Sequence, residues 1–414
     1  MRSYVAGLNP RLPAPVWILL SGSFANAFGN GVVFPYLLIY LHNVRGISLG
    51  TAGVVLAASS IAGLVGGPLA GTLIDAVGPR RVLVVSMVLS AIGFGGFAFV
   101  HHVPAAFAAG VVSGLGTGAF WPSHATLVGL MTERESRHSA YAMQRVLNNL
   151  GIGVGGVVGG FIATTAHPST YETLFVIDAV TFGAYLLALA FVATPPHAPP
   201  EDTPRGGYRT VVGHKTFLAY VVMNASLVSV GFALLGDIFP AFAKNTAHVT
   251  ERGIGFCFLA NTIVVGIAQM PVAKWLEGRR RMVAYTIEGV IWSASWLMVF
   301  AAGWWFVGVG AAVAFAFALS VFAIGECFHG TIQNALIADL ARPGLLGRYL
   351  ALNGFGFQLG GAAGRAAGGF ALALAPHGLW AIAAALSLAA GMSALLLERV
   401  LPETIRRTPV PVAA

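Results

Sequence analysis

The sequence predicts an all-α membrane protein with twelve spanning helices in two six-helix bundles related by a pseudo-two-fold axis. Three observations carry that expectation. Charged residues are 9% of the 414 and hydrophobic residues 57%, far from the roughly 25% charged of soluble domains. Apolar stretches of about 20 residues, each able to cross some 30 Å of hydrocarbon as a helix, recur along the whole chain. The second half also echoes the first.

The opening MRSYVAGLNPRLPAPVW is too polar and proline-rich for a signal peptide's apolar region, and no small-residue cleavage site follows. It is expected to remain uncleaved and cytoplasmic. Spans follow at 16–41, 49–72, 82–101, 105–131, 143–166 and 172–194. The longest polar interruption, TPPHAPPEDTPRGGYRTVVGHK (194–215), comes next. Beyond it lie spans at 215–241, 253–276, 282–302, 306–334, 347–373 and 376–400. The expected division is therefore a bundle at 1–194, a cytoplasmic linker at 195–214 and a second bundle at 215–414.

Such a division predicts internal repetition. HATLVGLMTERESRHSAYAMQRVLNNLGIGVGGVVGG (124–160) and NALIADLARPGLLGRYLALNGFGFQLGGAAGRAAGG (334–369) share a basic loop, an Asn-containing helix start and a glycine-paired finish. PLAGTLIDAVGPRRVL (68–83) likewise pairs with PVAKWLEGRRRMV (271–283). Two parallel halves with a binding site between them at the membrane midplane is a transporter architecture.

The net charge of +8 reflects topology. Of the 23 Lys and Arg, only Arg45, Lys244 and Arg252 fall on the outer side and Arg145 and Arg365 within spans. The rest sit on the side of the N-terminus, as the positive-inside rule requires. Basic charge therefore meets anionic inner-leaflet lipid, and nucleic acid is set aside as a partner. Cys257 and Cys327 lie in different spans with no metal-type spacing, so neither metal nor cofactor is expected. The sequence has no His-Glu-x-x-His, Gly-x-Ser-x-Gly or phosphate-binding loop. It does not read as an enzyme, and the energy for transport must come from an ion gradient or the substrate's own.

Between the second and third spans lies GTLIDAVGPRR (71–81). Its Asp75 can face a helix N-terminus, while Arg80 and Arg81 can pair with acids or lipid phosphates. Here the sequence resembles the major facilitator superfamily, whose inner-loop signature is approximately Gly-x-x-x-Asp-x-x-Gly-x-Arg-Arg, with Pro79 at a position where the family usually has Arg. The resemblance implies that this loop stabilises one of two conformational states through Asp75. GIGVGGVVGG (151–160) resembles the fifth-helix signature of drug:proton antiporters, with Gly156 replacing its proline. Gly151, Gly155, Gly156, Gly159 and Gly160 form a face on which helices pack closely and slide. In GVVSGLGTGAFWP (110–122), Gly110 stands where many antiporters carry a proton-linked arginine. Within the superfamily, FPYLLIYL, LLGDIFPAF, IGECFHG and GRYLALNG resemble multidrug:proton antiporters of the LmrP/MdtH type. That likeness implies proton and cation binding at Asp237 in the seventh span and Glu326 in the tenth.

Ionisable groups within hydrocarbon are costly and by default functional. Glu326 can be charged or neutral, which suits a coupling group, and Asp237 either shares that role or reaches water near its helix end. His329, three residues after Glu326, is expected on the same helix face. It either titrates in the physiological range or simply packs. Arg365 either pairs with Glu326 or binds an anionic substrate. Arg145, beside Gln144, Asn148 and Asn149, is an inner gate or a structural tie. Asp178 and Glu288 are expected to be structural, and Trp17, Trp304 and Trp305 to be interfacial anchors. These residues describe a monomeric secondary transporter of small molecules in the inner (plasma) membrane, with both termini cytoplasmic. Proton-coupled efflux of lipophilic cations is the favoured reading, and a carrier of a defined metabolite, anionic or not, is the alternative.

Overall fold

The computed structural model describes residues 12–132, 137–192, 208–342 and 345–408. Among these residues helices are the only regular elements, joined by short turns, apart from one isolated bridge between Arg280 and Arg407. The helices are numbered here in chain order: α1 Ala14–Val44, α2 Leu49–Val77, α3 Pro79–Phe97, α4 Val103–Met131, α5 Arg137–Ile162 and α6 Ser169–Ala190. After a short helix, Tyr208–Val212, come α7 Lys215–Asn245, α8 Glu251–Leu276, α9 Arg281–Trp305, α10 Gly308–Leu340, α11 Leu346–Leu374 and α12 Gly378–Val400.

Eleven helices among the described residues are long and apolar enough to cross a membrane. The remaining long helix, α11, is 29 residues. Arg348, Asn353, Gln358 and Arg365, with many glycines, lower its apolarity. The described helices overrun several of the expected spans. α1 and α7 reach Val44 and Asn245, and α10 continues to Leu340. Helical hydrogen bonding does not stop where hydrocarbon stops; α10 runs on until the approach of Pro343, which disfavours helix in the residue before it. Most of the expected linker 195–214 lies outside the described residues.

The chain divides into two compact units, Met1–Ile47 with Ala58–Glu201, and Ser48–Ala57 with Asp202–Ala414. In the first unit, α5 packs on α1 through glycines spaced one turn apart. A Cβ on Gly151, Gly155 or Gly159 would lie 2.8, 2.1 and 2.6 Å from the backbone oxygens of Phe24, Phe28 and Val32. Gly156 and Gly160 are buried beside them, and the Gly156 carbonyl accepts a 2.6 Å hydrogen bond from the Tyr36 hydroxyl. The second unit repeats the device: a Cβ on Gly360 or Gly364 of α11 would lie 2.2 Å from the oxygens of Ala225 or Ser229 on α7. Without side chains in the way, the backbones come together and dispersion replaces the hydrophobic drive that lipid cannot supply.

The basic loops fasten helix ends. Arg80 donates to the carbonyls of Val192 (2.9 Å) and Leu189 (3.0 Å), meeting the orphaned acceptors where α6 stops. It thus caps a helix rather than pairing with an acid. Arg81 is exposed, and the Asp75 side chain lies outside the described residues. In the repeated loop, Arg280 holds Glu398 at the end of α12 with bonds of 2.7 and 2.5 Å, and Arg281 pairs with Asp339 near the end of α10.

The glycine contacts give a direct test. Gly155→Val should lower unfolding stability by at least about 2 kcal/mol, the middle of the range for overpacking a filled site. Gly183→Ala, where an added Cβ meets nothing within 4 Å, should leave it within about 0.5 kcal/mol. Denaturant titration of both purified variants in the same detergent checks this, and equal effects would refute the close-packing role of Gly155.

Candidate functional site

The second unit places ionisable groups inside its helix bundle, and its sequence shapes the backbone around them. α7 breaks at Gly231, whose lack of a side chain leaves room for the ring of Trp292: a Cβ there would lie 2.2 Å from Trp292 Cζ3. The Val230 carbonyl at the break accepts from the Trp296 indole at 2.9 Å. The helix then passes through a π-helical turn, Leu234–Ile238, before Pro240, which has no N–H to give and would crowd the carbonyl four residues back. Such single-turn widenings are frequent at functional sites. This one carries Asp237.

Asp237 is buried, and its Oδ2 accepts a 2.7 Å hydrogen bond from Arg365 Nε on α11. The guanidinium side chain retains 28% exposure, so the pair is anchored in the bundle at the acid and reaches water at the base. Small neighbours in GGAAGRAAGG let α11 approach α7 closely enough for this reach.

Glu326 on α10 is half-buried, and its Oε2 accepts from the Asn261 amide of α8 at 2.7 Å. Asn261 also donates to the Leu319 carbonyl at 3.3 Å. His329 turns elsewhere. It is 2% exposed, and its Nδ1 lies 2.9 Å from Oε1 of Glu288 on α9, which is wholly buried. Residues three apart on a helix differ by about 60° in direction, enough for Glu326 to meet α8 while His329 meets α9.

The expected trio thus resolves into three pairs, Asp237 with Arg365, Glu326 with Asn261 and His329 with Glu288. Arg365, expected to pair with Glu326 or to bind an anionic substrate, forms an ion pair with Asp237, and Glu288, expected to be structural, meets His329. Asn261 carried a signal that sequence reasoning passed over: a lone amide in FLANTIVV, in the apolar middle of α8.

In the first unit Arg145 is exposed, while its neighbour Gln144 is buried with Nε2 at 2.9 Å from Nδ1 of His124. Asp178 on α6 is wholly buried with neither carboxyl oxygen hydrogen-bonded. It sits in the notch left by Gly29, where a Cβ would lie 2.2 Å from its Oδ1 and 2.3 Å from Thr181 Oγ1.

The sequence profile of the Major Facilitator Superfamily matches residues 19–247 and 221–413. The chain belongs to that superfamily. Among similar superfamily proteins is the multidrug resistance protein MdtH of Aeromonas salmonicida (strain A449), 26% identical over 85% of this chain and 86% of that one. An uncharacterized MFS-type transporter, YqjV of Bacillus subtilis (strain 168), is 26% identical over 86% of both chains. The quinolone resistance protein NorA of Staphylococcus aureus (strain MSSA476) is 20% identical over 70% of this chain and 74% of its own. Solved structures share the fold. The nucleoside transporter NupG superposes with a TM-score of 0.74 at 12% identity, covering 92% of this chain and 99% of its own. A POT peptide transporter gives 0.76 at 14%, covering 94% of both chains. The protein is therefore a multi-pass membrane transporter of the major facilitator fold, and not an enzyme.

The Asp237–Arg365 pair makes a quantitative prediction. Removing one partner strands a charge in the bundle, so Arg365→Ala should destabilise the protein by on the order of 3 kcal/mol. The double variant Arg365→Leu with Asp237→Leu should recover most of that loss. A double-mutant cycle on thermal unfolding measures the coupling, and additive effects would show that the pair is not an energetic unit.

Proposed function

We propose that this transporter exports lipophilic cations in exchange for protons by alternating access. The observation that carries the reading is the Asp237–Arg365 ion pair on a π-helical turn. A proton arriving at Asp237 removes the negative half of the pair and releases Arg365, so protonation is converted into a change in how α7 and α11 are tied. Glu326 supplies the second acid. Its hydrogen bond from a neutral amide suits either protonation state, and when ionised it can attract a cationic substrate. Protons would bind these acids from outside, displace the substrate outward and permit return to the inward-open state. The resemblance to a multidrug resistance protein and a quinolone resistance protein supports this choice of substrate class.

The distribution of Lys and Arg supports cytoplasmic termini in the inner (plasma) membrane and contact with anionic lipid. The segment 195–214 then links bundles at 1–194 and 215–414, and the proposed carrier works as a monomer. In the inner loop, Asp75 and Arg81 join Arg80 as gating groups, and Arg145 stands at the matching end of α5. A dedicated carrier of an anionic metabolite is the second reading, resting on Arg365. The engagement of Arg365 by Asp237 weighs against it.

Efflux of ethidium from energised cells tests the proposal. Wild type should extrude the dye in a manner abolished by collapsing the proton gradient. Glu326→Gln and Asp237→Asn should each reduce the rate by tenfold or more at equal membrane expression. No extrusion by well-expressed wild type would overturn export of lipophilic cations and move attention to an anionic metabolite at Arg365.

A further inference from the structure

The Glu288–His329 pair stands apart from the acids just assigned. Both side chains are inside the bundle, at 0% and 2% exposure, and they meet at 2.9 Å through Oε1 and Nδ1. Each has a second polar atom, Glu288 Oε2 and His329 Nε2, that is buried with no hydrogen-bond partner. Aromatic rings enclose the imidazole: Trp292 is stacked on it at 6.0 Å, and Phe232 and Tyr285 present their edges at 5.3 and 5.8 Å. A packing histidine needs neither a buried carboxylate beside it nor two unsatisfied valences, each of which costs stability when left unmet.

Polar groups lead from this pair to one end of the bundle. Arg281, Tyr285 and Glu288 recur at helical spacing on one face of α9. The Tyr285 hydroxyl is 3.0 Å from that of Tyr220 on α7. Arg281 is 1% exposed, with Nε and Nη1 unpartnered. Its Nη2 reaches Asp339, which is 44% exposed at the end of α10. Among the described residues, the ionisable side chains around the pair are Arg281 and Tyr285 on α9 and Tyr220 on α7, with Asp339 and Glu326 farther along α10. On α12, Ser387 is buried and Glu398 is engaged by Arg280.

We propose that Glu288 and His329 together form a proton-holding site of the second unit, connected to the Arg279–Arg281 end of the bundle through Tyr285, Arg281 and Asp339. The charge balance is simple. With one proton the pair is neutral overall, as carboxylic acid with imidazole or as carboxylate with imidazolium. Without it, a single negative charge remains in an aromatic box, where an unpaired charge is costly. Uptake forms one N–H bond at Nε2 or one O–H bond on the carboxyl, and release breaks it. The hydrogen bond between Nδ1 and Oε1 lets the two groups share the load. This deepens the proton-coupled reading and rests on it for its purpose, but its proton binding is measurable without transport.

Infrared difference spectroscopy on the purified full-length protein in lipid nanodiscs, with no drug present, makes the test. The pH is stepped from about 5 to about 9, a range that brackets histidine titration. Wild type should show a protonated-carboxyl band that titrates. Glu288→Gln should remove one component of that band, leaving the part due to Asp237 and Glu326, while the protein remains monodisperse, and His329→Asn should retain that component with its midpoint moved by at least about one pH unit, a tenfold change in proton affinity. Should Glu288→Gln fail to fold, the shift in His329→Asn decides alone. A spectrum of Glu288→Gln identical to wild type, or a component whose midpoint ignores His329→Asn, would overturn the site. Ethidium efflux without the Glu288 component would sink this inference and keep the export reading. That component without efflux would do the reverse.

Discussion

A charge placed in hydrocarbon must be answered by another group or by water, and the second unit is organised by that requirement. Asp237 is answered by Arg365 on α11, Glu326 by an amide on α8, and Glu288 by His329 on α10. Each answer comes from a different helix, so each is also a tie between helices. Each of the three ties contains a carboxylate, so on the proposed proton-coupled reading the bundle's internal cohesion would follow its protonation.

The ties are possible only because the backbones are close. In water, helices are driven together by burying apolar faces; in lipid that drive is absent, and close approach over small residues takes its place. Gly360 and Gly364 put α11 against the carbonyls of Ala225 and Ser229. Arg365, next in sequence to Gly364, is thereby delivered to the turn of α7 that carries Asp237. Packing and chemistry are one arrangement here: the glycine that admits α7 also sets the reach of the arginine.

The spans were legible because hydropathy is a property of local sequence, and the repeat was legible because glycine spacing survives duplication. The partners were not, because helix direction is set by packing that no local window contains. Glu326 and His329 lie in one short motif, yet a rotation of about 60° sends one to α8 and the other to α9. The contact of Arg365 with Asp237 follows from the glycine face that seats α11 on α7, which hydropathy alone does not show. Arg80, read as a partner for acids or lipid phosphates, donates to carbonyls at the end of α6. In each case the residue was visible and its direction was not.

The two units show how a duplicated frame can be used unequally. α5 and α11 carry the same glycine ladder, and each lies on the first helix of its own half, α1 or α7. Yet at the position where α11 carries Arg365, α5 carries Gly156, whose carbonyl receives the Tyr36 hydroxyl. The first unit therefore closes that point with a fixed hydrogen bond between neutral groups, which no proton can undo near neutral pH. The second closes it with an ion pair between Asp237 and Arg365. The duplication supplied a way of packing twice, and the two copies use the same point differently, in keeping with function residing in sites built on a fold rather than in the fold itself.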